Sequence, residues 1–382
     1  MGDSAVFTPD VAFVRSLKEA GADTLKKCYQ CATCSVVCEL SPDDSPFPRK
    51  EMLMAQWGLK EELAKDPDVW LCHNCNDCSK YCPRGARPGD VFSVLRQMTI
   101  RENAVPGFLA DIVGNPSMIL VALAIPIILF LVIIGALGRL TIPAGPIIFT
   151  NMMPVPAIDA VFITAALLVT LSFALSIKKF WAGLNSGRKA EGPFIPALIA
   201  TIMEIVQHKK FEKCGANKDR AWAHRFVFYG FIGLFITTNW AVFYLYALGW
   251  ESPYGWGSPH QLTATMMTLG NALKIFGNAS ALTLLIGALL VIANRMKDKG
   301  VNSKSSSFDW VFAIIVLLVC VTGILSEVLR LANIAQLAYP VYFVHLVFVF
   351  YIIAYLPFSK LAHLVYRTTA ITYAKMAKRD AA

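Results

Sequence analysis

Eight of the ten cysteines fall into two runs of one spacing: Cys28, Cys31, Cys34 and Cys38, then Cys72, Cys75, Cys78 and Cys82, with Pro83 directly after. Both runs read C-x2-C-x2-C-x3-C. Three thiolates at that step can wrap one corner of an iron–sulfur cube, while the fourth is carried away to a second cube. The spacing predicts two crossed [4Fe–4S] clusters: Cys28, Cys31, Cys34 and Cys82 on one, and Cys72, Cys75, Cys78 and Cys38 on the other. A zinc site uses two separate cysteine pairs, so a third cysteine at the same step would be redundant. A disulfide framework needs an oxidising compartment, and the opening MGDSAVFTPDVAFVRSL does not read as a secretory signal. Glu39 follows the first run where a proline often stands, and His73, inside the second, reads as a polar loop residue rather than a ligand.

Histidines form the second constellation. His345 and His363 are 18 residues apart, five turns of one α-helix, so both point to one face, about 27 Å apart along the axis. One face then presents an imidazole toward each side of a membrane, the arrangement of a transmembrane cytochrome b with two stacked haems. Interface anchoring of the helix is the plainer alternative. His224 and His363 share a side and pair around an inner haem b; His345 needs an outer partner, for which His260 is the candidate. His208, in HKKFEK, reads as a surface residue and the reserve inner ligand. Lys274, Glu327 and Arg330 lie near the outer boundary, where charges must face the bundle interior. They form either a structural ion pair or a quinone pocket in which Glu327 accepts the quinol proton. Cys214 and Cys320 fit no pattern and read as inert.

The elements that must position these groups differ along the chain. Residues 1–110 have the composition of a soluble domain, and residues 111–382 are dominated by apolar stretches. Six stretches are long enough to cross a bilayer: 117–138, 160–181, 224–248, 271–294, 309–329 and 341–357, the last extended to about Tyr366. Pro126 falls within the first, where neighbouring helices can tolerate it. Basic residues crowd the alternate loops, with Lys178, Lys179, Arg188, Lys189, Lys209 and Lys210 in one and Arg295, Lys297, Lys299 and Lys304 in another. The opposite loops hold only Arg139 and the aromatic Trp250, Tyr254 and Trp256. This asymmetry places both termini and the cluster domain in the cytoplasm. It also accounts for the net charge of +9 without a nucleic-acid partner. Ser258 and Pro259 read as the start of the fourth span. PALIATIMEIV reads as an amphipathic helix, on the inner membrane surface or packed on the cluster domain. Neither GxGxxG nor GxxxxGK occurs, so the chain shows no nucleotide site of its own. The expected fold is mainly α: a helical two-[4Fe–4S], ferredoxin-like domain followed by a six-helix transmembrane cytochrome b bundle.

CYQCATCSVVC and CHNCNDCSKYCP are similar to the C subunits of heterodisulfide reductases, and HLVFVFYIIAYLPFSKLAHLVYR to the cytochrome b subunits of heterodisulfide and respiratory nitrate reductases. Over its whole length the chain resembles the C subunits of quinone-interacting membrane-bound oxidoreductase complexes of sulfate-reducing prokaryotes (the QmoC family). That resemblance implies oxidation of menaquinol and passage of electrons through haems b and clusters to flavin-containing partner subunits A and B. The implied final acceptor is adenylylsulfate reductase. In the nitrate reductase cytochromes a second histidine follows the inner ligand by ten residues; here that position is Leu234. A heterodisulfide-reductase-type or sulfite-reductase-linked subunit is the alternative of the same class. A redox-sensing membrane anchor or a transporter without haem is the alternative of another class.

Overall fold

The structure is a computed structural model and describes residues 8–208, 210, 215, 219–247, 264–298 and 305–379. Every element among them is helical. The N-terminal part holds α1 (Val11–Glu19), α2 (Thr33–Val36), α3 (Arg49–Trp57), α4 (Lys60–Ala64), α5 (Asp68–Leu71), α6 (Asp77–Lys80), α7 (Pro88–Asn103) and α8 (Gly107–Gly114). Pro88 opens α7 at a position where its missing N–H costs nothing.

Then follow α9 (Ile119–Ala136), α10 (Val155–Leu184), α11 (Phe194–Gln207), α12 (Asp219–Ala247), α13 (Ala264–Asp298), α14 (Ser307–Leu331), α15 (Ala335–Ala354) and α16 (His363–Met376). Among the described residues six helices are long and apolar enough to cross a membrane: 116–136, 155–184, 220–247, 269–298, 307–331 and 335–354. Their exposed apolar side chains, such as Leu120, Leu167, Phe235 and Ile275, suit lipid rather than water. Between α12 and α13 the backbones nearly touch. A Cβ on Gly230 would meet the backbone N of Leu284 at 2.7 Å, and one on Gly287 the backbone N of Val227 at 2.6 Å. Small residues permit such close helix approach in a bilayer. Ser306 and Asp309 form a capping box at the start of α14, worth about 1 kcal/mol.

The last span differs from the sequence expectation. It does not run unbroken to Tyr366, because α15 ends at Ala354. Pro357 has no N–H to return to the helix and crowds the preceding turn. The chain takes two 3₁₀ turns, Leu356–Phe358 and Lys360–Ala362, with Ser359 Oγ accepting from the Leu361 amide at 3.2 Å. A new helix, α16, then starts at His363. His345 and His363 therefore lie on two helices, not on one face of a single helix. The amphipathic segment α11 packs against α16, with Thr372 donating to Thr201 at 3.2 Å and Lys375 paired to Glu204 at 3.0 Å. Its other face exposes Ile195, Ile199, Ile202 and Met203.

The core of the N-terminal part is not closed on itself. Trp70, Phe92 and Leu95 share one apolar cluster with Phe180 and Leu184 of α10 and Tyr366, Ala370 and Tyr373 of α16. Trp70 stacks on Tyr366 with centroids 5.3 Å apart and planes 13° apart, worth about 1 kcal/mol beyond the area buried. A buried ion network adds a second tie. Lys50 lies 3.2, 3.0 and 2.7 Å from carboxylate oxygens of Glu51, Asp66 and Asp68, and Arg379 donates to both oxygens of Asp68 at 2.9 and 3.0 Å. Two cations face three carboxylates, and burial, then Asp66, push the Glu51 carboxyl well above its usual range. Removing a partner from a buried charge leaves an uncompensated group. Arg379→Ala is expected to cost about 2 kcal/mol, read as roughly 30-fold faster local hydrogen exchange at the Val69–Leu71 amides.

Candidate functional site: a cysteine pair of loops above a histidine-lined cavity

The two cysteine runs adopt one backbone geometry. Gln30 and Ala32 in the first, and Asn74 and Asn76 in the second, have φ of 67°, 68°, 55° and 66° at matching positions. Left-handed backbone at alternate residues turns successive amides toward one centre, a concavity suited to anionic sulfur. The Asn74 amide donates to Cys72 Sγ at 3.3 Å, and the Ala86 amide to Cys82 Sγ at 3.3 Å. Ala32 adopts this conformation at a cost of about 1–2 kcal/mol, so its surroundings impose it.

The fourth cysteine of each run lies with the other run. Burial, then the neighbouring Cys72 thiol, pushes Cys38 up to about 12, with Cys75 adding to the effect. Cys28 is raised chiefly by burial, with Cys82 and Cys31 facing it. No disulfide joins cysteines among the described residues. No three of their sulfurs lie within 4.8 Å of one another, whereas a single zinc ion would draw them to about 3.8 Å. The spacing suits a multi-iron core. Cys31 is exposed while Cys78 is buried, so the first run faces outward and the second inward.

Beneath the second run lies a cavity of about 2280 Å³ running through the helix bundle. His73, Asn74 and Cys75 line one end; His208, His224 and His363 come next; His345 follows; and Lys274 and Glu327 lie beyond. His73, a loop residue by its place in the sequence, faces this cavity. Burial, then Arg367 and Arg96, hold its imidazole neutral, well below its usual range. Arg96 donates to the Cys72 carbonyl at 2.5 Å and to that of Val69 at 2.9 Å, and Arg367 reaches the Cys72 carbonyl at 3.5 Å. The loop of the second run is thus pinned to the helix that opens with His363.

His363, His345 and His224 each have a hydrogen-bond partner at Nδ1. His363 Nδ1 lies 2.6 Å from the Lys360 carbonyl, so it is the protonated nitrogen and Nε2 carries the lone pair. His345 Nδ1 lies 3.1 Å from Thr322 Oγ1, whose own proton goes to the Leu318 carbonyl at 2.6 Å. A Cβ on Gly323 would meet the His345 ring at 2.9 Å, so this glycine makes room for it. His224 Nδ1 lies 3.3 Å from His208 Nε2. The His224 and His363 ring centroids are 6.5 Å apart with planes at 78°. Two imidazoles on one metal ion, each bonded at about 2 Å, set their centroids about 6 Å apart. His224 and His363 could therefore hold one iron between them. His208 and His224, at 5.3 Å and hydrogen-bonded to each other, could not.

His208 is buried, not a surface residue as its basic flanks suggest. It ends α11 with a left-handed φ of 54°, which turns its ring inward. His260 lies outside the described residues, as do Cys214, Ser258 and Pro259. Among the described residues no second histidine lines the cavity near His345; Leu234, Thr237, Thr238 and Asn239 line it there. Lys274 and Glu327 pair at 3.1 Å, Asn278 donates to the same Glu327 oxygen at 3.4 Å, and Arg330 lines the same end. Asn278 lies one turn from Lys274 on the same face of α13. Cys320 is buried on α14 and lines the cavity without a second cysteine beside it among the described residues.

Residues 109–382 match the family model described as citrate utilization protein B. The chain belongs to the citrate utilization protein B family. Residues 24–86 match the 4Fe-4S dicluster domain. The N-terminal part is also similar to the C subunit of the H(2):CoB-CoM heterodisulfide,ferredoxin reductase of Methanothermobacter marburgensis, 36% identical over 102 residues, 26% of this chain and 52% of that protein. An Archaeoglobus profundus protein described as like the C subunit of heterodisulfide reductase is 36% identical over 90 residues, 23% of this chain and 48% of its own. The C subunit of the ferredoxin:CoB-CoM heterodisulfide reductase of Methanosarcina mazei is 32% identical over 89 residues, 23% of this chain and 54% of its own. The chain spans about half the length of these curated relatives. No solved structure matches it. The chain therefore joins a 4Fe-4S dicluster domain, similar to the C subunits of heterodisulfide reductases, to a part whose helices are long and apolar enough to cross a membrane. Cys38→Ser, although in the first run, is expected to abolish the electron paramagnetic resonance signal of the cluster bound by the second run and to leave the other cluster's signal in place.

Proposed function

We propose that this protein is a membrane electron-transfer subunit linking a quinone pool to a cytoplasmic redox partner through two haems b and two [4Fe–4S] clusters. The observation that carries this reading is the pair His224 and His363, set 6.5 Å apart in a cavity whose next wall is the Cys72–Cys75 loop. Bound haem b would supply one-electron transfer. His224 and His363 would hold the inner haem. His345 holds the outer, with His260 as its second ligand. Cys72, Cys75, Cys78 and Cys38 ligate the cluster nearer the cavity, and Cys28, Cys31, Cys34 and Cys82 the cluster nearer solvent. Arg96 and Arg367 fix the Cys72 carbonyl against the helix that carries His363.

Lys274, Glu327 and Arg330 form the quinone end, with Asn278 aligning the Glu327 carboxylate. Glu327 accepts the quinol proton on the side away from the clusters, which makes the transfer electrogenic. The loop charges put the termini and the clusters in the cytoplasm. The relatives are described as C subunits of reductases, which supports docked partner subunits. In this reading those partners are flavin-containing subunits A and B, and adenylylsulfate reductase is the acceptor.

The match of residues 109–382 favours a second reading, in which the same path serves citrate utilisation. Both readings need the inner haem, so one variant tests them together. His363→Ala is expected to lose one protohaem per chain and to block cluster reduction by menaquinol while dithionite still reduces the clusters. Quinol-driven cluster reduction at the wild-type rate in that variant would contradict the reading.

A further inference from the structure

The histidine pair His208–His224 is not explained by ligation, since only one of its rings is set against His363. His208 is buried at the C-terminal end of α11. Its Nδ1 lies 3.0 Å from the Val206 carbonyl, which also accepts from the Tyr229 hydroxyl at 2.7 Å. A carbonyl cannot donate, so His208 Nδ1 carries the proton and Nε2 the lone pair. That lone pair lies 3.3 Å from His224 Nδ1. His224 must then donate from Nδ1, which leaves its Nε2 as the nitrogen with a lone pair. One orientation of protons satisfies the row: His224 to His208 to Val206. The row ends on a last-turn helix carbonyl, where the helix dipole concentrates negative charge. The Phe228 ring, 4.8 Å from that of His208 and 73° to it, fixes its plane.

We propose that His208 is the positioning residue of the inner haem, fixing the tautomer of His224 and strengthening its Nε2 as an electron donor to iron. This rests on the haem reading above. An outer hydrogen-bond acceptor of this kind raises the basicity of a ligating imidazole and typically changes metal affinity or activity 10–100-fold. The acceptor here is a second histidine, where His363 uses a plain backbone carbonyl and His345 a threonine hydroxyl. Of the two residues that would hold the inner haem, His224 is backed by a two-member relay and His363 directly by a backbone carbonyl. A more basic His224 favours the ferric state, so loss of the relay raises the inner haem's reduction potential.

The test uses the full-length membrane protein and compares His208→Ala with His208→Gln, whose side-chain oxygen can accept from His224 Nδ1. Haem content and optical redox titration are the readouts. Loss of one haem in His224→Ala, relative to wild type, establishes the inner site. A wild-type chain without protohaem overturns the haem reading itself and is recognised before the variants are compared. His208→Ala is expected to keep low-spin haem with its ferric–ferrous equilibrium shifted about tenfold toward ferrous, about 59 mV for one electron. His208→Gln is expected to restore the wild-type potential. Loss of the inner haem in His208→Ala together with its retention in His208→Gln also supports the assignment. An unchanged potential in His208→Ala, or equal loss of haem in both variants, overturns it.

Discussion

The break after Ala354 governs the rest of the arrangement. Had α15 continued, His363 would sit at the far end of one rod and the Cys72 loop would have nothing to rest on. Because Pro357 ends the ladder, α16 restarts at His363 in a new position. Its first two turns present an imidazole to the cavity, the Tyr366 ring to Trp70 and the Arg367 guanidinium to the Cys72 carbonyl. Trp70 lies just before Cys72 in the chain, so a single helix face fixes both the histidine and the cysteine loop. Arg379, just past its end, repeats the tie at Asp68.

This geometry explains why the soluble and membrane parts share one core. A cluster domain with its own closed core could tumble against the bundle, and the separation of the second cysteine run from the histidines would vary. Burial of Phe180, Leu184, Tyr366 and Tyr373 among Trp70, Phe92 and Leu95 removes that freedom. Polar ties such as Lys50 and Arg379 on Asp68 add direction more than energy, because buried ions lose much of their attraction to desolvation. The two runs also divide their tasks. The second faces the cavity through Cys75, and the first exposes Cys31 and its neighbour Tyr29 to solvent.

Much of this is legible in the sequence because the signals are local. Cysteine spacing needs only a few residues of backbone, and the repeated left-handed positions show that both runs fold alike. Membrane helices satisfy their own backbone, so hydropathy locates all six spans closely. The misses are tertiary. Counting 18 residues as five turns assumes one helix and passes over Pro357. His208 looks exposed because its neighbours are lysines, yet the packing of α11 on α16 and one left-handed residue turn its ring inward. His73 looks like a spacer between cysteines, and only the cavity beneath the loop gives it a place in the path. The Asn278–Glu327 contact depends on the α13–α14 pairing, which no pattern within either helix specifies.

The most direct measurement is a pyridine haemochrome assay on the purified full-length chain, with iron and protein quantified in the same sample. The account predicts two protohaems per chain beside two [4Fe–4S] clusters. A chain that carries both clusters but no protohaem would contradict it, leaving the histidine-lined cavity without its proposed occupant and the quinone end without a route to the clusters.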